Sequence, residues 1–216
     1  MQRREILILA ASLLGPLWMG AGWGSQLVDI TEVDSSIVID LRYATTNNFT
    51  GKIIYSSPRA LLRRNIAESL SEVQEKLQEQ GLGLKVWDAY RPFSVQKKFY
   101  SIIPNDRYVA RPTEDGGLPV DGSKHNRGAA VDVTLIDLKT GRELEMPTLF
   151  DDFSKRAHRD YEGCSAEAKK NRKILEDAMK AEGFEPMPTE WWHFEGPGWK
   201  HCEISDQPAE PDSAGH

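Results

Sequence analysis

Cysteine is scarce in this chain of 216 residues, with only Cys164 and Cys202 present. Two distant thiols without a Cys-x-x-Cys clamp exclude a zinc-finger or dithiol redox motif. They either close one disulfide, which an oxidising compartment permits, or pack as two small apolar groups, and the sequence leaves both readings open. A basic stripe is missing as well. Lys and Arg number 27 against 33 Asp and Glu, a formal charge of −6, so nothing tracks a phosphate backbone and nucleic acid is excluded as the expected partner in favour of a small, locally selected ligand. There is no glycine-rich nucleotide loop and no internal repeat. What remains, 39% hydrophobic and 28% charged residues, fits one globular domain with a sizeable core.

The first residues, Met1-Gln2-Arg3-Arg4-Glu5, precede an uncharged run from Ile6 to Val28 that is most apolar up to Leu14 and ends among small residues at Gly20 to Ser25. Basic, apolar and small segments in that order predict a secretory signal over residues 1–25, although no clean Ala-x-Ala site is present. An uncleaved membrane anchor is the other reading, weakened by Pro16 and the glycines. Either way the domain, residues 26–203, is expected in the periplasm or cell envelope, without stable membrane insertion once the signal is cut. The stretch 204–216, polar and interrupted by Pro208 and Pro211, predicts a disordered tail.

Between these ends, apolar Leu61, Leu62, Ile66, Leu70, Val73 and Leu77 recur at helical spacing from Ser57-Pro58 onward, and Gly81 supplies a left-handed stop. Ile37 to Ile39 and Leu84 to Trp87 predict short strands. Pro92 forces Arg91 out of helical geometry, placing it at a strand end. A helix is expected over Ser94 to Ile102 with Val95, Phe99 and Ile102 inward. Pro104 to Gly122 has no periodicity and predicts a long surface loop of the kind that forms lids. In Ala130 to Leu135, Val131, Val133 and Leu135 share one strand face and Asp132 looks the other way. Ser165 caps a helix to Glu182, and an aromatic strand is expected from Trp191 to Glu195. Short strands late in the chain, alternating unevenly with helices, predict an α+β domain: a small, mainly antiparallel sheet flanked by helices.

Two segments carry the chemistry: Ser123-Lys124-His125-Asn126-Arg127-Gly128-Ala129-Ala130-Val131-Asp132 and Glu190-Trp191-Trp192-His193. Together they offer two imidazoles and two carboxylates, which suits one catalytic Zn²⁺ held by His125, Asp132 and His193, with Glu190 as the separate proton acceptor. The bland alternatives are a hydrogen-bonded His–Asp pair and an aromatic core strand with a satisfied histidine. Strict alternation would put Glu190 and His193 on opposite faces, so the assignment requires Glu190 to lie in the turn before the strand, where Pro186 and Pro188 disfavour regular pairing.

The pattern Ser123-x-His125-x-x-Gly128-x-Ala130-x-Asp132 with Glu190-x-x-His193 resembles the zinc D-alanyl-D-alanine dipeptidases of the vancomycin-resistance type. So do Tyr43-Ala44-Thr45, Asn48-Phe49-Thr50-Gly51, Trp87-Asp88-Ala89-Tyr90-Arg91-Pro92 and Phe150-Asp151. The likeness runs from about Asp29 to Glu195. It implies the hedgehog/D,D-peptidase-like zinc fold, zinc at His125, Asp132 and His193, Glu190 as general base and acid, and Arg91 as transition-state stabiliser. It further implies that Ser123, Tyr43 and Asp151 hold the substrate, a small dipeptide, with Tyr43 and Asp151 receiving its free ammonium. A D,D-carboxypeptidase acting on peptidoglycan stems and a metal-stabilised binding domain of hedgehog type are the competing expectations.

Overall fold

The computed structural model describes residues 26–209; the expected signal, residues 1–25, lies outside them. Its elements are β1 (Leu27–Asp29), α1 (Ile30–Val33), β2 (Val38–Ile39), β3 (Leu61–Arg63), α2 (Arg64–Gln78), β4 (Leu82–Asp88), α3 (Phe93–Ile102), β5 (Thr113–Asp115), β6 (Leu118–Asp121), β7 (Ala130–Asp137), α4 (Ala166–Ala181), β8 (Glu185–Pro186) and β9 (His193–Glu195). The main sheet has the order β2-β4-β7-β9-β8, antiparallel except for the β2–β4 pair. The domain is therefore α+β. Among the described residues no helix is long and apolar enough to cross a membrane.

Alternation on β7 divides the sheet into two faces. Val131, Val133 and Leu135 stand beside Phe194 of β9 and Leu84 and Val86 of β4, and this face joins Ile66, Leu70, Val73 and Leu77 of α2 and Leu175 and Met179 of α4 in one core. Asp132 points to the opposite face, where its cross-strand partner on β9 is His193. The register of β4 shifts between Val86 and Asp88, so that Asp88 also falls opposite Asp132. That bulge puts an extra residue, Trp87, into the strand and brings Asp88 into the polar row.

Several expected boundaries move. Leu61 and Leu62 do not open the long helix. Leu61 to Arg63 pair with β1, and both leucines are buried side by side, which a strand between core and neighbour achieves and one helix face does not. Ile102, expected inward, is exposed, whereas Phe93 and Gln96 are buried. The 104–122 segment is not structureless: β5 and β6 form a hairpin turning on Gly116 and Gly117 at φ 56° and 82°, the left-handed pair a two-residue hairpin favours. The aromatic strand is shorter than expected, because Trp191 and Trp192 lie in the turn before β9.

The first part of the expected tail is docked. Phe93 N donates to Ser205 O, Ser94 N to Asp206 Oδ1 and Tyr90 OH to Gln207 O, while Ser205 N donates to Asn126 O. Helix α3 follows Pro92, which supplies no side-chain cap. Asp206 thus caps α3 from another part of the chain. Cys164 and Cys202 are free thiols.

Candidate metal centre and active site

His125 sits in a 3-10 turn, Lys124–Arg127, whose N-cap is Ser123; the Ser123 side chain accepts from His125 N, and Asn126 completes a capping box. Gly128 ends the turn at φ 63°, where a Cβ would also collide with Leu27. The turn therefore hands the chain to β7 in a fixed direction. One ring nitrogen of His125, Nδ1, lies 2.7 Å from Ala89 O and must donate to it, since a carbonyl only accepts. That bond fixes the tautomer and leaves the Nε2 lone pair facing inward.

Nε2 of His125 lies 3.1 Å from Nδ1 of His193 and 3.3 Å from Oδ1 of Asp132, and His193 Nδ1 lies 3.0 Å from the same oxygen. All three residues are buried. Donor atoms about 2.0–2.2 Å from a tetrahedral ion stand roughly 3.3–3.6 Å apart, so the triangle needs to open by only a few tenths of an ångström to hold one. Lone pairs converging in a dry site repel unless a cation sits among them. The pocket also favours positive charge. Burial pushes the Asp132 carboxyl up, but the two imidazoles packed against it, His125 foremost, hold it far below the usual carboxylate range. Burial likewise works against a charged His125, yet the carboxylates of Asp132 and Asp88 raise its pKa overall. Donor set, spacing and burial thus all fit a zinc ion.

Glu190 lies in the turn entering β9, with His193 N donating to its carbonyl at 3.4 Å. The alternation conflict disappears there, and Glu190 shares the pocket with His193. Burial raises its carboxyl to about 7, and among the described residues no hydrogen bond to its carboxylate is seen. It is poised to exchange a proton near neutrality. Arg159, which sequence reasoning passed over, braces this turn from behind by donating to Met187 O and His193 O at 2.7 and 2.8 Å.

Arg91 is buried beside the bulge. Its Nε and Nη2 donate to Asp88 Oδ2 at 3.2 and 2.6 Å, and its Nη1 donates to Gln96 Oε1 at 2.7 Å. Three of its five N–H groups are used by these bonds, leaving two for a ligand. Asp88 organises the turn, as its position suggested, and it also accepts from Ala89 N and Tyr55 OH.

Across the pocket Tyr43 OH donates to Asp151 Oδ1 at 2.9 Å and Phe49 N to Oδ2 at 3.0 Å. Asp151 holds φ at 61°, the only non-glycine with positive φ among the described residues. Burial lifts its carboxyl to about 7 against these two hydrogen bonds. One cavity of about 90 Å³ brings together Tyr43, Arg91, Ser123, His125, Asp132, Asp151, Glu190 and His193, walled further by Phe49, Phe99, Tyr108, Val109 and Trp192. Every site residue singled out in the sequence lines this space. What the sequence did not reveal is the support behind them: Gln96, Arg159 and the backbone carbonyl of Ala89.

A family model described as D-Ala-D-Ala dipeptidase, of peptidase family M15, matches residues 24–209. The chain is 36% identical over 173 residues to a D-alanyl-D-alanine dipeptidase of Escherichia coli K12, covering 80% of this chain and 86% of that protein. It is 34% identical over 178 residues to one from Streptomyces coelicolor (76% and 88% covered). A third, from Enterococcus faecium, is 32% identical over 183 residues, again with 76% and 88% covered.

Proposed function

From the premise that the chain belongs to the D-alanyl-D-alanine dipeptidase family of M15 peptidases, we propose that it hydrolyses the dipeptide D-Ala-D-Ala to two D-alanines, with His125, Asp132 and His193 holding one zinc ion. The ion supplies a Lewis acid that polarises the scissile carbonyl and acidifies water. Glu190 takes the proton of the attacking water and returns it to the leaving amine; its pKa near 7 suits both directions of transfer. The two spare N–H groups of Arg91 face the oxygen that becomes negative, a contribution of about 3–4 kcal/mol per donor in other enzymes. Ser123, buried in the cavity wall, contacts the substrate. Asp151, with Tyr43 beside it, receives the free ammonium, and bringing in that opposite charge offsets the cost of burying the carboxylate.

The observation that carries this reading is the convergence of the three donor atoms, a proton acceptor and a guanidinium on one small cavity. Dipeptide preference is supported by the ammonium site sharing that cavity with the ligand triangle, which leaves no room for an extended chain on the amino side. The experiment incubates purified protein with D-Ala-D-Ala, L-Ala-L-Ala and a stem pentapeptide, each with and without chelator. Chelator-sensitive cleavage of the first alone is expected. Cleavage of the pentapeptide with the dipeptide spared makes the protein a carboxypeptidase, and zinc uptake without any cleavage makes it a binding domain.

A further inference from the structure

Gln96 is fully buried on α3, and both ends of its amide are committed. Its oxygen accepts from Arg91 Nη1 at 2.7 Å, and its nitrogen donates to Ala110 O at 2.7 Å. The orientation is forced by chemistry, because a guanidinium only donates and a backbone carbonyl only accepts. Ala110 ends the short stretch Tyr108-Val109-Ala110 that walls the same cavity Arg91 faces. Val109 packs with Tyr43, Val95 and Phe99 in a small second core, and Tyr108 and Val109 N both donate to Asn105 O. A single planar amide thus joins the guanidinium to one wall of the cavity.

Asp88 alone would leave that guanidinium free to pivot, since both of its bonds go to a single oxygen, Oδ2. The Gln96 bond at Nη1 is the second point that fixes its plane, and the rings of Phe99 and Tyr43 lie alongside with their centroids 4.7 and 5.5 Å from Cζ. We propose that Gln96 is a positioning residue: it sets the direction of the two free Arg91 N–H groups and ties it to the placement of residues 108–110, so that loop and oxyanion donors are aligned together. This rests on the reading of Arg91 as a group that acts on the reacting carbonyl.

The test compares Gln96→Met, which removes both bonds at similar volume, with Gln96→Glu, which keeps the acceptor for Arg91 and removes the donor to Ala110. Zinc content, kcat and KM for D-Ala-D-Ala and amide hydrogen exchange over residues 105–111 are measured, with Arg91→Ala as control. Expected are faster exchange in both variants, one zinc per chain in both, and a fall in kcat of about tenfold or more for Met that Glu partly restores. Native kcat in the zinc-loaded Met variant, or unchanged exchange in both, overturns the proposal. So does a kcat loss that only tracks lost zinc or lost folded protein. If the Met variant does not fold, Glu decides: unaltered exchange there, or faster exchange with native kcat, overturns the proposal, and faster exchange with a lowered kcat supports it. Undiminished kcat in Arg91→Ala instead refutes the role of Arg91, a separate outcome from unchanged loop exchange.

Discussion

The two ends of the cavity are made of different material. At the metal end Asp132 and His193 are cross-strand partners in the middle of a five-stranded sheet, and His125 is locked by a capped turn and a bond to Ala89 O. At the other end, where the substrate ammonium is proposed to bind, Tyr43 comes from a 3-10 turn and Asp151 from a loop at positive φ, joined by a hydrogen bond between side chains far apart in sequence. Hydrogen-bonded strands hold groups to a fraction of an ångström, whereas loops tolerate substitution. On the proposed function, reaction chemistry falls on the rigid part and substrate choice on the adjustable part.

Removing metal-end groups should have the largest effects. His193→Ala and Asp132→Ala each lose zinc and activity together, whereas Glu190→Gln keeps zinc and loses about 10²–10⁴ in turnover. Metal analysis beside steady-state rates separates the two cases, and an active Glu190→Gln enzyme ends the proton-transfer role. At the other end Asp151→Asn should leave zinc and kcat near native but reduce kcat/KM for the free dipeptide about tenfold to a hundredfold, the worth of a charge-assisted contact. An N-acetylated dipeptide, which has no ammonium and is extended on the crowded amino side, should be a poor substrate for both proteins, with little difference between them. A loss of zinc in this variant would erase the distinction between the two ends.

A smaller effect appears in stability against pH. The folded Asp151 carboxyl titrates at about 7 against an ordinary value of 3.8, so between those values the folded chain holds a proton that the unfolded chain has released. Its contribution to stability is full below the ordinary value and is lost as pH rises through about 7. Substrate affinity runs the opposite way, since the ammonium needs the carboxylate. Melting curves of native protein and Asp151→Asn from pH 4 to 8 should therefore converge at the acid end and separate toward neutrality, with the native protein less stable; parallel curves would show that Asp151 titrates normally. The smallest effect belongs to the docked end of the chain. Asp206→Ala removes a cap worth about 1 kcal/mol, a drop in Tm of about 2–4 °C for a protein this size, and Asp206→Asn should restore it.

The same contrast explains what could be read without coordinates. The ligand residues sit in two contiguous motifs, and α4 announces itself through Ser165, which accepts from Ala168 N, and Gly183 at φ 79°. Leu61 and Leu62 were ambiguous because their spacing to Ile66 fits a helix as well as a strand, and the deciding partner, β1, lies far back in the chain. Gln96 and Arg159 are polar side chains whose partners are backbone carbonyls of distant segments, so no local pattern could single them out. Ser205 and Gln207 dock through main-chain groups. Composition reports side chains and is silent on such contacts.

Strand β9 is the last strand among the described residues, yet it covers one side of the largely buried strand β7 and delivers the third ligand. A nascent chain from which β9 has not yet emerged therefore carries β7 as an open, apolar edge ready to join another such strand. Ion capture and protection from clumping arrive in one closing event, when β9 docks against β7. A stop codon placed before β9 should thus yield insoluble protein rather than a weakened enzyme.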